Sequence, residues 1–294
     1  MMKKNVFHNT STKFFINMLK KIYWNFFKRN IFGMTASMRV LPDFIIIGSM
    51  KCGTTSLYYD ICEHPCTLAA AYDEIGFFDS NFHLGVNWYR SMFPRKKQIE
   101  DVRRKEGIAI TGEDTPFYFW NPTAAKRIQK LLPNIKLITI LRNPIDRAYS
   151  EYQDWAGRES NPPSFETVVE NELNIQRKYP NLITEENFKV FNQKNSHLLK
   201  GIYVDQLKIW RELFPKEQIF TLSTENLNSE PIAALESVFQ YLNLPDYKIK
   251  NSQHRKQNKY VPMNPQTREL LIEFFKPHNE RLFKFIGKKF EWDT

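Results

Sequence analysis

The order of elements along the chain predicts an α/β fold, with a central parallel sheet flanked by helices on both faces. Three observations point to it. Residues 44–47 read Phe-Ile-Ile-Ile, an apolar β-branched run that stops at Gly48, and a tight loop then leads to a helix opening at Thr54-Thr55-Ser56. Residues 136–141, Lys-Leu-Ile-Thr-Ile-Leu, read as a second buried parallel strand, with a helix over 122–132 before it and a helix from Pro144 after it. The resulting β–loop–α and α–β–α order is that of a doubly wound sheet. A chain of 294 residues with 42% hydrophobic residues and 24 Phe can bury a sizeable core.

The loop after the first strand keeps the Gly48-x-x-x-x-Gly53 spacing of a nucleotide P-loop, so the sheet is P-loop-like. Its two glycines let the backbone turn N–H groups toward an anion, and the helix starting at Thr54 adds its positive dipole end. Thr54, Thr55 and Ser56 add hydroxyl donors. Thr54, however, stands where a triphosphate-binding loop carries Lys, and the lysine has moved inside the loop to Lys51. That shift points to a nucleotide other than ATP, with Lys51 near the bridging oxygen of a shorter anion. Cys52 reads as a small residue filling the loop, with a thiol activated by the loop donors as the alternative.

The stretch Pro42 to Leu57, PDFIIIGSMKCGTTSL, resembles the 5′-phosphate loop of the sulfotransferases that use phosphoadenosyl phosphosulfate (PAPS). It is most similar to the heparan sulfate type and its bacterial relatives, and the likeness runs from about Pro42 to Trp292. The resemblance implies that Lys51, Cys52, Gly53, Thr54, Thr55 and Ser56 hold the nucleotide. Residues 71–79, Ala-Tyr-Asp-Glu-Ile-Gly-Phe-Phe-Asp, align with the family's Lys-Glu-x-His-Phe-Phe-Asp stretch. This implies Glu74 as general base, with Lys51 and Asp79 completing the catalytic set. A carboxylate against a Phe77-Phe78 wall is partly desolvated and its pKa rises, as a base for a hydroxyl proton requires. Gly76 replaces the family's common His and Asp73 its common Lys.

Residues 112–119, Gly-Glu-Asp-Thr-Pro-Phe-Tyr-Phe, resemble the family's element at the substrate cleft. There Asp114 replaces a Lys, which disfavours an anionic acceptor, and Asp114 and Tyr118 are the implied acceptor contacts. A Thr115-Pro116 turn followed by packed aromatics is the structural alternative. At the end of the second strand, Arg142 and Ser150 match the pair that grips the 3′-phosphate of PAPS; Arg offers a planar fork and Ser a hydroxyl. Pro144 suits the first turn of the intervening helix.

Downstream, Gly201-Ile202-Tyr203 begins a helix whose Leu207, Trp210 and Phe214 recur at core-facing spacing. Residues 217–224 read as a strand, and 230–242 and 267–275 as helices. The segment from Asn161-Pro162-Pro163 to Ser196 reads as an insert walling the cleft. Arg255, Lys256 and Lys259 match a basic loop that closes over the nucleotide phosphates in the family.

The chain carries 42 Lys and Arg against 32 Asp and Glu, a net charge of +10, which favours anionic partners. Three cysteines, Cys52, Cys62 and Cys66, form no disulfide framework and point to a reducing, cytoplasmic compartment. Cys62 and Cys66, with His64 between them, lack a fourth zinc ligand, so no metal is expected. Residues 1–40 read as a basic amphipathic extension and 41–294 as the sulfotransferase domain. The longest uncharged apolar stretch of the extension, Phe14 to Leu19, is too short to span a bilayer. A helix lying on an anionic membrane and a helix packed on the domain both stay open. The expected activity is sulfuryl transfer from PAPS to a hydroxyl or amine of a carbohydrate-type acceptor, with no nucleic-acid partner. A non-catalytic nucleotide- or glycan-binding protein and a small-molecule kinase are the other classes.

Overall fold

The computed structural model describes residues 33–178, Phe188, 196–248 and 261–292. Five strands form one sheet: β1 (Phe44–Gly48), β2 (Thr67–Ala69), β3 (Ile110–Asp114), β4 (Lys136–Leu141) and β5 (Ile219–Ser223). Their order is β2-β3-β1-β4-β5 and every pairing is parallel. Strand β1 is central, with Phe44 opposite both Gly112 and Lys136.

All five β1 residues are buried, as a strand covered on both faces requires. Ile45 and Ile47 enter one core with Leu137 and Leu141, while Phe44 and Ile46 enter the other with Ile138 and Ile140. The second core is closed by α1 (Thr54–Cys62), through Leu57 and Ile61, and by α9 (Pro231–Leu242), through Leu235 and Phe239. The first is closed by α4 (Pro122–Leu131), α5 (Pro144–Ala156), α7 (Tyr203–Leu213) and α10 (Pro265–Ile286). Trp210 on α7 is buried with its indole N–H donated to the Phe119 carbonyl at 3.1 Å, so its polar atom is satisfied. The remaining described helices are α2 (Val86–Arg90), α3 (Lys96–Glu106), α6 (Phe165–Lys178) and α8 (Thr224–Ser229).

The expected strands and helices appear in order; β2 and β3 are strands beyond those expected, and the last helix is longer. The last helix spans 22 residues and passes through Pro277, where a helix over 267–275 was expected. Its start is fixed by the Asn264 side chain, which accepts the N–H groups of Gln266 and Thr267. Its extension beyond Pro277 follows from burial of Asn279 and Leu282 against the domain, packing that outweighs one lost backbone donor. Residues 1–32 of the basic extension, residues 249–260 with Arg255, Lys256 and Lys259, and most of the second half of the insert lie outside the described residues.

Helix α5 is fastened by buried charges. Arg147 is fully buried and donates to Glu151 at 2.8 Å and to the His197 carbonyl. Lys200 reaches the other Glu151 oxygen at 2.6 Å. Burial alone pushes the Glu151 carboxyl up, but Arg147 and Lys200 outweigh it and hold it well below the usual carboxylate range. Glu172 on α6 receives the N–H groups of His197 and Leu198 at 2.6 and 2.7 Å, which joins the insert to the same knot. Glu151→Gln leaves two buried cations short of a partner and should cost about 3 kcal/mol at neutral pH. Because the folded pKa is depressed, the wild-type advantage is present above the unfolded carboxylate value and fades as pH falls through the acid range; urea unfolding at pH 7 and below pH 4 checks both points.

Candidate active site

Ligands of open α/β sheets bind beyond the carboxyl ends of the strands, and the loop after β1 lies there. Gly48 ends β1, where a Cβ would come within 2.5 Å of the Phe119 Cβ and 2.8 Å of the Pro116 carbonyl. Ser49 then donates its N–H to the Ile140 carbonyl of β4 at 2.8 Å. Lys51 takes a left-handed backbone (φ 65°), and Gly53 does so too (φ 90°), capping α1. A Cβ on Gly53 would meet nothing within 4 Å, so the loop faces open space there.

Three contacts clamp this loop from behind. The Thr224 hydroxyl lies 2.7 Å from the Cys52 carbonyl and 3.1 Å from that of Leu141. The Tyr203 hydroxyl donates to the Arg142 carbonyl at 2.9 Å and lies 3.8 Å from the Cys52 sulfur. The Arg142 guanidinium donates to the Lys51 carbonyl at 3.4 Å. Cys52 is wholly buried, and burial pushes its thiol up to about 11, so it fills the loop rather than reacting. Lys51 and Arg142 therefore meet at one loop, with the hydroxyls of Thr54, Thr55 and Ser56 at the start of α1. Ser150 lies two turns into α5, the helix that Arg142 and its Asn143 cap precede.

Across from the loop, Glu74 is exposed and held at φ 50°, its N–H donated to the Asp114 carbonyl at 2.9 Å. Its pKa is raised, first by the protein packed beneath it and then by Asp73, with Asp79 adding to this and Lys51 opposing it. Phe77 and Phe78 are not the wall expected around Glu74. Both are fully buried, with Phe77 stacked on Tyr89 at 4.4 Å, whereas Glu74 is exposed. Gly76 takes φ 61°, and a Cβ there would lie 3.1 Å from Asp79; a histidine at this position would be strained. Asp79 accepts the Ser80 N–H at 2.5 Å, and its carbonyl takes Arg127 at 3.1 Å. Its contacts are those of a turn organiser behind Glu74.

Asp114 and Tyr118 are not surface acceptor contacts in this structure. Tyr118 lies wholly in the core, where its hydroxyl receives the Phe78 N–H at 3.2 Å and donates toward Glu113 at 3.5 Å. Asp114 is buried, and neither carboxylate oxygen has a hydrogen-bond partner. Burial pushes its pKa up to about 7, and Asp73 and Glu74 push the same way. The Thr55 hydroxyl lies close enough to offset part of this without closing a bond.

Two further carboxylates escaped the sequence reading. Glu113 is buried on β3, pushed up to about 7 by burial, and bonded to the hydroxyls of Tyr89 at 2.5 Å and Thr115 at 2.8 Å. A Glu-Asp pair inside an otherwise uncharged strand was its one sequence signal. Asp154 on α5 stands 3.8 Å from the Lys51 ammonium, a proximity made only by the tertiary fold. Among the described residues no group of His, Cys, Asp and Glu is arranged to hold a metal ion.

Asp114 sets a pH signature. Its folded pKa lies above the unfolded value, so the native state holds the extra proton and stability falls as pH rises from about 4 to about 7. Asp114→Asn should flatten that slope and gain about 2 kcal/mol at pH 8, read by denaturant unfolding at pH 5 and 8.

With this geometry in place, the comparisons with known proteins are specific. A family model described as the sulfotransferase domain matches residues 41–292. The membrane-associated sulfotransferase kil1 of Dictyostelium discoideum is 28% identical over 86% of this chain and 67% of its own length. The human bifunctional heparan sulfate N-deacetylase/N-sulfotransferase 2 is 26% identical over 84% of this chain, and the match spans only 30% of that enzyme. A solved sulfotransferase from Alicyclobacillus acidocaldarius shares the fold, with TM-score 0.64 over 85% of this chain and 98% of that one, at 23% identity. The loop after β1, the strand-end arginine and the parallel sheet thus sit inside a match that covers nearly the whole described fold, and the chain belongs to the sulfotransferase domain family.

Proposed function

We propose that this sulfotransferase moves a sulfuryl group from PAPS to a hydroxyl or amine of a carbohydrate acceptor, with Glu74 as general base. The observation that carries the reading is the meeting of Lys51 and Arg142 at the loop, with the Lys51 charge acting on Glu74 from across it. The residues fit the donor: Lys51, Arg142 and a helix N-terminus adjoin the loop where Gly53 leaves open space, and Thr54, Thr55 and Ser56 form the first turn of that helix.

PAPS supplies a sulfuryl group already joined to a phosphate leaving group. Lys51 and the loop N–H groups offset negative charge developing on the oxygen that leaves sulfur. Arg142 and Ser150 hold the 3′-phosphate, and Arg255, Lys256 and Lys259 add charge from the following basic segment. Glu74 accepts the proton that the acceptor oxygen or nitrogen gives up as its bond to sulfur forms; the carboxyl ends protonated and the bisphosphate leaves with the bond electrons. The raised pKa of Glu74 makes it a better proton acceptor than an ordinary surface carboxylate.

A carbohydrate acceptor is supported by the human relative, which is named for heparan sulfate. The three free cysteines support a cytoplasmic placement, and the basic extension supports peripheral contact with a membrane. No helix among the described residues is long and apolar enough to cross one. Asp73 and Gly76, at the family's Lys and His positions, favour a second reading as a non-catalytic nucleotide-binding protein.

Transfer of labelled sulfate from PAPS to a glycan panel separates the two. Glu74→Gln should lower transfer about 100-fold or more while retaining the bisphosphate product by calorimetry. An active Glu74→Gln enzyme would dispose of the base assignment, and binding without any turnover would establish the second reading. Arg142→Ala should weaken bisphosphate binding about 10- to 100-fold, in keeping with loss of a charge-assisted phosphate contact.

A further inference from the structure

The charge of this protein is unevenly spread. The 42 residues before Asp43 hold eight of its Lys and Arg, from Lys3 to Arg39, and no Asp or Glu. This stretch enters the described fold at the three-ten turn Gly33–Met38, where Met34 is 83% and Met38 59% exposed. Two large apolar side chains this exposed within one short turn call for a partner.

What surrounds them is basic. The turn packs on α2, and the chain after it pairs Arg39 with Arg95 in an isolated antiparallel bridge, with Val40 donating to the Pro94 carbonyl at 3.2 Å. This pairing brings the exposed start of α3, with Arg95, Lys96 and Lys97, alongside the turn. Arg90 and Lys96 line with Met34 a cleft of about 500 Å³. The acidic residues of α3 lie further along the helix: Asp101 faces Arg104 at 3.7 Å and Glu106 faces Lys105 at 2.9 Å, with Glu100 one turn from Lys96. Four basic side chains thus frame two exposed methionines at the point where the basic extension joins the domain.

We propose that this face, Met34 and Met38 framed by Arg90, Arg95, Lys96 and Lys97, seats the folded domain on an anionic membrane leaflet. The proposal rests on the peripheral contact put forward above and names the domain surface that shares in it. Lysine and arginine gain from the negative leaflet, about fivefold in binding for each residue near the surface. The methionines enter the headgroup boundary, where apolar side chains are favoured. A soluble polyanionic glycan would use the four charges but gives the methionines nothing to bury against. The site rim is close by, since Ala71, three residues before Glu74, donates its N–H to Met92 between α2 and α3.

Flotation of the full chain with phosphatidylserine-containing and pure phosphatidylcholine vesicles tests this. The wild type should float with the anionic vesicles alone and be released by high salt. Met34→Glu with Met38→Glu should lower the bound fraction about tenfold, as should Lys96→Glu with Lys97→Glu. All four residues are exposed, and matching thermal unfolding confirms that the variants fold. Retention on heparin should fall only for the lysine variant. Lys20→Glu with Lys21→Glu separates the two levels: if it abolishes flotation while the methionine variant floats like wild type, the extension binds alone and this surface is wrong. Strong heparin retention with no flotation overturns it as well. Sulfate transfer, measured in parallel without vesicles, reports on the enzymatic reading independently.

Discussion

The site depends on how one loop is clamped behind its mouth. A single hydroxyl, that of Thr224, reaches the carbonyls of both Cys52 and Leu141, and so ties the turn after β1 to the end of β4. Tyr203 adds a second tie, from α7 to the Arg142 carbonyl. The Ser49 and Cys52 N–H groups are also engaged within the protein, by the Ile140 and Ser49 carbonyls, so the loop is held through both its donors and its acceptors. Lys51 and Gly53 take left-handed conformations within this clamped turn.

Opposite the cradle the balance of charge reverses. Asp73, Glu74 and Asp114 come from two segments that the N–H of Glu74 laces together; Asp73 raises the proton affinity of both Glu74 and Asp114, and Glu74 raises that of Asp114. The cation that acts on Glu74, Lys51, also faces Asp154. A basic loop thus confronts an acidic rim, the polarity that the proposed transfer requires, with an anion held on one side and a proton taken up on the other. The buried knot around Arg147 and Glu151 fastens α5, which carries Ser150 and Asp154.

Much of the frame was legible in the sequence. The two apolar runs at Phe44 and Lys136 have no solvent-facing alternation, which marks strands covered on both sides, and both are inner strands of the sheet. Gly53, Thr54 and Pro144 marked helix starts through local chemistry that tertiary contacts do not alter. The length of α10 was hidden because Pro277 reads as a stop, and only the packing of Leu282 shows why it is not one. Tyr118 was misplaced for a related reason. An aromatic after a Thr-Pro turn has the same local pattern whether it lines a cleft or a core. Asp154 could not have been found, because its approach to Lys51 joins residues a hundred positions apart through the fold alone.

The central position of β1 has a consequence for how the chain is made. Its neighbours, β3 and β4, lie more than sixty residues further along, so Phe44 cannot acquire either flank until residues near Gly112 and Lys136 have emerged. During synthesis the most apolar segment of the sheet waits, unpaired, for nearly a hundred residues of nascent chain. Such long-range pairing slows folding and leaves apolar surface exposed until the sheet closes.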